Sequence, residues 1–259
     1  MSPSGKRPHD NPVAGALYLI DGLALLNRPG IRAYVAVPLI VNVLLFGTAL
    51  VWGWSQLEVL GAMVEGWLPN WLGFLSALLI PLFFIAAAIF VLFFFALFAN
   101  FIAAPFNGLL AEAVERHLRA ESGETYTDTP LPSWTNVLRE LHRSIASELR
   151  KLAYFLPRAL LIGGLHFIPV LNIAAPFIWL AFSAWMLAIS YADFAMGNHG
   201  LGFREQRAEL RRWRLTSLGF GGITAFAVLI PVVNLIVMPA AVAGATKLWV
   251  RRVDPFRAR

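Results

Sequence analysis

Charged residues are missing from four long stretches of this 259-residue chain: 33–57, 66–111, 159–192 and 215–246. Uncharged apolar runs of 18 or more residues have the length of membrane-crossing helices. The pattern therefore predicts an all-α integral membrane protein. Residues 33–54 would span about 33 Å as a helix, one full crossing. The stretch 72–104 is rich in Phe and carries Pro81. At about 50 Å it predicts a tilted or kinked span that projects past the bilayer. Two full transmembrane helices are thus expected, at about 33–56 and 72–104.

Before the first span, residues 1–12 are polar with three prolines and predict a disordered tail. Val13, Leu17, Ile20, Leu23 and Leu26 then recur at helical spacing, with Asp21 and Asn27 off the stripe. That spacing predicts a short helix lying in the membrane interface.

The two later apolar segments are flanked on both sides by basic residues: Arg150, Lys151 and Arg158, then 204–214, then 247–252. A single crossing would leave one basic cluster outside. Two full crossings each need roughly 20 residues plus a turn, more than either segment holds. Halving a segment leaves arms of about 15 residues, about 22 Å, short of the roughly 30 Å core. Length and charge together predict two re-entrant helical hairpins, at about 156–192 and 215–249. Helix breakers fall at the middle of each, as a repeat of the form I-P-V-(L/V)-N: Ile168-Pro169-Val170-Leu171-Asn172, followed by Pro176, and Ile230-Pro231-Val232-Val233-Asn234, followed by Pro239. Proline ends a helix, and Asn can cap the amides of the next. Non-helical backbone at membrane depth is tolerated where protein buries it or water reaches it. The tips therefore read either as a path for solute or simply as turns.

Between the second span and the first hairpin, cytoplasmic helices are expected over 106–153. Glu112–Arg116 and Glu115–Arg119 stand in the favourable i,i+4 order. Residues 122–133 read as a polar loop. Trp134, Leu138, Leu141, Ile145, Leu149 and Leu152 make a second apolar stripe. Residues 13–252 read as a single membrane domain, with a basic tail at 253–259.

Composition narrows the classes. Hydrophobic residues make up 58% and charged residues 14%, against about 25% charged in soluble domains. There is no cysteine, hence no disulfide scaffold and no thiolate metal site. All 21 Lys and Arg lie outside 33–115. The Glu-containing loop between the first two spans is therefore expected to be periplasmic, with both termini cytoplasmic. The net charge of +6 reads as contact with cytoplasm and anionic headgroups. No nucleic-acid partner is expected, since no basic domain or recognition motif is present. Asp21 and Gly22 interrupt the stretch that a cleaved signal peptide would need.

No catalytic constellation, cofactor motif or metal-ligand spacing stands out. The five histidines are scattered, and only His166 lies at depth. The protein is not expected to be an enzyme. The informative segment is Asn27-Arg28-Pro29-Gly30-Ile31-Arg32. With Asn27 as N-cap and Pro29 in the first turn, the amides of Gly30 and Ile31 would point out along the positive end of the helix dipole. Arg32 would add a planar donor set to an anion site. The plain alternative is a pair of arginines anchoring a helix at the headgroups. Asn42, Asn100, Asn107, Asn172 and Asn234 are the Asn residues expected at membrane depth, with Glu112 and Asp193 at the edges. Several Asn and no buried acid suit an anion route rather than a metal-cation route; helix–helix hydrogen bonding is the alternative use.

The runs Pro29–Arg32, Pro38–Asn42 and 102–112 (IAAPFNGLLAE) resemble the CysZ-type sulfate transporters, as does 183–189 (SAWMLAI) with Tyr191, Asp193, Asn198 and His199. The resemblance spans roughly residues 15–252. It implies a bacterial inner-membrane protein that takes up sulfate for cysteine synthesis, with two true spans and two partly penetrating hairpins. It also implies that the sulfate-binding Gly-x-Arg stretch falls on Gly30, Ile31 and Arg32. The family's second Arg is replaced by Ala33, and Arg28 is expected to substitute in part. The aromatic-Pro pair after the Asp is Phe194-Ala195 here.

The working expectation is uptake of sulfate (or sulfite) without ATP hydrolysis. The anion is held by Gly30, Ile31, Arg32 and Arg28, and passed among the hairpin tips. Glu112, Asp193 and His199 are the groups for proton coupling. A homo-oligomer embedded in the lipid bilayer is expected, since one protomer has too few full spans to enclose a path. The alternatives are a membrane-shaping scaffold and a less selective anion channel.

Overall fold

Helix α1, Pro12–Leu25, starts where the Asn11 side chain accepts the Val13 amide at 2.9 Å and Pro12 fills the first turn. The computed structural model describes the backbone of residues 9–56, 76–124 and 134–253, with isolated positions between 57 and 75. Within these, the side chains at 76–77, 79–80, 87, 90–105, 134–148, 231–232 and 235 lie outside the description. So do the chain ends, most of the loop between the first two spans, and residues 125–133. After α1 come α2 (Arg32–Ser55), α3 (Ser76–Glu121), α4 (Trp134–Leu165), α5 (Leu171–Asn198), α6 (Phe203–Arg212), α7 (Arg214–Val228) and α8 (Pro231–Leu248), closed by a π-helical turn, Trp249–Val253. No strand occurs among the described residues.

The chain divides into two compact units: residues 33–106, and residues 1–32 together with 107–259. The smaller unit holds nearly all of α2. This helix has 24 residues and is long and apolar enough to cross a membrane. Its side chains face outward along its length, with Leu44 63% and Val51 74% exposed and only Pro38 buried.

The larger unit is assembled on small residues. A Cβ added at Gly22 of α1 would lie 2.0 Å from the Ala240 carbonyl oxygen of α8, and one at Gly15 would lie 2.0 Å from the Thr216 oxygen of α7. Gly221 of α7 meets Ala184 of α5 as closely, at 1.8 Å. Backbones at such separations exclude any side chain, so glycine is required at these crossings. The helix predicted at 13–26 thus forms, with its stripe turned outward. Val13, Leu17, Ile20 and Leu23 are exposed, while Tyr18, Leu19, Leu25 and the expected stripe member Leu26 are buried.

Both turns at the I-P-V-(L/V)-N repeats are present, and the two hairpins differ. The second turns at 229–230 between arms of 15 and 18 residues, about 22 and 27 Å. The first turns at 166–170, and α5 runs for 28 residues, about 42 Å. It too is long and apolar enough to cross a membrane. The 15-residue half-arm expected for the first hairpin is exceeded because its turn lies early in the apolar segment and α5 continues past residue 192 into polar sequence. Neither Asn of the repeat caps a helix. The N-cap positions are Val170 and Ile230, and the Asn172 and Asn234 amides instead donate four residues back, to the Ile168 (3.0 Å) and Ile230 (2.8 Å) carbonyls. Val170 sits at φ +72°, a strained conformation for a β-branched residue. Pro176 and Pro239 lie inside α5 and α8 without ending them.

Helix continuity also exceeds expectation. The cytoplasmic helix expected from residue 106 is the C-terminal part of the 46-residue α3, and that expected at 134–152 continues through Pro157 to Leu165 as α4. One proline forfeits one backbone hydrogen bond, which the turns on either side outweigh here.

Candidate functional site

Arg28, Gly30, Ile31 and Arg32 share the turn between α1 and α2. The Arg28 amide donates to the Leu25 carbonyl at 3.0 Å, and the Arg28 carbonyl accepts from Ile31 (3.1 Å) and Arg32 (3.2 Å). Helix α2 therefore begins at Arg32, not near Pro29, and Asn27 is part of the turn rather than its N-cap. The Ile31 amide, expected to be a free donor, is occupied by Arg28, and the Ile31 side chain is 1% exposed. Ile31 thus anchors the turn. Gly30 takes φ +86° with open space on its Cβ side, and its amide donates to no acceptor among the described residues. Arg28 and Arg32 are exposed, and neither guanidinium bonds another described residue. Among the described residues the arrangement is two exposed cations and one unbonded amide at the positive end of a helix, which suits an oxyanion.

A second polar centre lies in the larger unit. The Glu115 carboxylate, on α3, is 1% exposed. It accepts from Arg119 Nε at 2.8 Å and stands 2.8 and 2.9 Å from Nε2 of His199, whose ring lies 5.5 Å from the buried Trp249. Arg119 also reaches Glu124 at 3.0 Å. Nearby on α5, Asp193 is bonded by Lys151 of α4 and by the fully buried Gln206 of α6. The Asn198 side-chain amide donates to the Gly108 carbonyl at 3.0 Å. Elementary electrostatics explains the density of partners: a buried carboxylate is tolerated only when ion-paired and hydrogen-bonded.

Residues 18–239 match the model of the family described as "Sulfate transporter CysZ/Etoposide-induced protein 2.4". The chain belongs to this family. Among relatives of the CysZ type, the "Sulfate transporter CysZ" of Pseudomonas fluorescens (strain Pf0-1) is 46% identical over 239 residues, 92% of this chain and 94% of that protein. Those of Pseudomonas paraeruginosa (strain PA7) and Pseudomonas aeruginosa (strain LESB58) are each 44% identical over 92% of this chain and 95% of theirs.

The remaining expected residues of this CysZ-family chain fall in separate places. Glu112 forms an exposed pair with Arg116 at 3.1 Å and does not join the Glu115 cluster. Asn42 on α2 and Asn234 on α8 each hold a buried side-chain oxygen with no hydrogen-bond partner among the described residues. Asn172 is exposed at the first turn of α5, and Asn107 is half-buried in α3. The Asn100 side chain lies outside the described residues. His166, just past the end of α4, bonds back to the Ile162 carbonyl of that helix, 3.2 Å away. Sequence reasoning missed Glu115 as the partner of His199. A signal was there: Ala111, Val114 and Leu118 share its helix face, and all three are buried.

Proposed function

We propose that this protein carries sulfate into the cell across the bacterial inner membrane for cysteine synthesis, without enzymatic chemistry. One observation carries the reading: the turn at 28–32 presents two guanidiniums and a glycine amide that have no partner among the described residues, in a chain whose relatives over 92% of its length are named sulfate transporters. Sulfate is fully ionised at neutral pH and needs only donors, which Arg28, Gly30 and Arg32 supply while Ile31 fixes the turn. Sulfite, also an oxyanion, fits the same donors.

Residues 13–252 act as one membrane domain. The α2 span and the span at 72–104 cross fully; the two hairpins enter from the cytoplasmic side, where both termini lie. The 15- and 18-residue arms of the second hairpin support partial penetration. Asn42, Asn172 and Asn234, with Asn100 and Asn107, replace water along the route. The unpartnered oxygens of Asn42 and Asn234 support a hydrated or partner-lined setting for these two. Protomers assemble into a homo-oligomer, a reading supported by the outward-facing apolar length of α2. Of the residues expected to couple protons, His199 has the firmest support, since its Glu115 partner is buried; Asp193 is engaged by Lys151 and Gln206, and Glu112 by Arg116.

Radiolabelled sulfate uptake into sealed liposomes tests the reading, with and without a pH gradient. Arg32→Ala should lower uptake at least tenfold while leaving thermal stability unchanged, because the Arg32 guanidinium bonds no described residue and the backbone bond to Arg28 is kept. Uptake that survives this substitution would refute the site. No uptake by the unaltered protein would refute the transport reading.

A further inference from the structure

Away from the turn at 28–32, a groove of about 530 Å³ lies among α5, α6 and α7, lined by Trp185, Leu218, Arg211 and Arg214. Trp185 and Leu218 are half-buried, while both arginines are exposed. The neighbouring Arg212 is held by Glu209 at 3.0 Å, but Arg211 and Arg214 enter no hydrogen bond or ion pair with a described residue. Arg214 also adds its charge to the surroundings of Asp10, without bonding it. From this mouth an apolar line continues along α7 through Gly222, whose Cβ side is open, to Phe226, 55% exposed. The distance from Arg214 to Phe226 is about 18 Å at helical rise.

We propose that this groove seats one acidic phospholipid, its phosphate between Arg211 and Arg214 and an acyl chain over Trp185 and Leu218. Two features select a lipid over a free oxyanion. The floor is the broad indole of Trp185 and the side chain of Leu218, an apolar surface that an acyl chain covers and a small inorganic ion leaves bare. The paired cations match a single anionic headgroup, and basic residues at a membrane surface favour anionic over zwitterionic lipid. Trp is also suited to the depth where headgroups meet chains. The site is independent of the sulfate reading, since it shares no residue with the turn at 28–32.

Native mass spectrometry of the full-length protein in detergent tests it, with phosphatidylglycerol, phosphatidylcholine and inorganic phosphate as probes. Saturable retention of phosphatidylglycerol over phosphatidylcholine is expected. It should weaken about fivefold for each arginine removed in Arg211→Gln and Arg214→Gln, and stay unchanged in Arg212→Gln. Equal binding of the two lipids would overturn the proposal, as would full retention in the double arginine variant. Displacement of the lipid by an equal concentration of inorganic phosphate would reassign the groove to a free anion. The three substitutions lie at exposed positions, and a matching size-exclusion profile establishes folding for each.

Discussion

Helices α2 and α8 are both apolar and both interrupted by proline, yet they meet different surroundings. In α2 the large side chains point away from the protein: Val43, Leu44, Val51, Trp52 and Trp54 are all more than 60% exposed. In α8 the run Ala240, Ala241, Val242 and Ala243 is almost wholly buried. The difference lies in residue size rather than apolarity. Ala240 and Gly244 stand four apart on α8 and face Gly22, and Gly244 in turn lies against the Tyr18 backbone of α1. Small residues one turn apart let backbones approach, and dispersion then holds helices together where lipid would satisfy apolar surface equally well. Bulky residues on α2 leave no such seat. Its own glycines, Gly47 and Gly53, have no described residue within 4 Å of their Cβ positions. Hydropathy finds both helices; only the spacing of small residues tells which one is bound by protein.

The sharpest way to break this contrast is to put a side chain into one crossing. Gly22→Val would place Cβ 2.0 Å from a carbonyl oxygen of α8. It should cost more than about 3 kcal/mol, seen as loss of the monodisperse size-exclusion peak. Gly47→Val in α2 is the counterpart and should change the unfolding midpoint by no more than about 0.5 kcal/mol allows. If both variants behaved alike, the contrast between a helix packed within its own protomer and one that is not would fail.

A smaller effect is expected at the buried carboxylate. Removing one partner of a buried ion pair strands the other charges. Arg119 and His199 keep some solvent access, 18% and 35%, so Glu115→Ala should cost about 2 kcal/mol rather than the full penalty. Glu112→Ala, one turn away and partly exposed, should cost about 0.5 kcal/mol or less. Chemical denaturation of the two variants side by side distinguishes the positions.

The smallest effect is expected at Asp10. Partial burial alone would raise its carboxyl pKa, but the Thr216 and Leu215 amides, the Thr216 hydroxyl and the charge of Arg214 together hold it below the ordinary carboxylate value. The folded state therefore binds this proton less readily than the unfolded chain. The resulting stability is present above the ordinary carboxylate range and is lost as pH falls from about 4 through the lower folded value. Asp10→Asn should remove part of this acid dependence, and Asp10→Ala should also cost about 1 kcal/mol of helix capping at neutral pH. A pH-independent stability difference between Asp10→Asn and the unaltered protein would contradict this.

Much of the fold was legible because its signals are local. Charge-free runs marked the apolar helices, and the I-P-V-(L/V)-N repeats marked both turns. What escaped depends on contacts across the chain. The outward direction of the Val13–Leu17–Ile20 stripe follows from Gly15 and Gly22 meeting helices some 200 residues away. Periodicity finds a face and is silent on its partner. The continuity of α4 through Pro157 is a case where tertiary packing overrides a local breaker. At the candidate site, Gly30 and the arginines were legible as a composition suited to anions. The spent amide of Ile31 was not, because it depends on where the turn closes. Glu115 and His199 stand 84 residues apart, and no local pattern joins them.

The seat of α1 has a consequence for the order in which the molecule is made. Its partners α7 and α8 are made about 200 residues after it, and bonds at this seat join Asp10, just ahead of α1, to Thr216 and Tyr18 to Arg252. At roughly 5–20 residues per second, about 10–40 s separate the synthesis of α1 from that of its seat. During that interval the Gly15 and Gly22 edge has no protein against it. The outward stripe of Val13, Leu17, Ile20 and Leu23 can hold the nascent helix at the bilayer surface until α8 arrives. Final closure of the larger unit therefore waits for the synthesis of α8, and truncation before residue 231 leaves the first helix made without its seat.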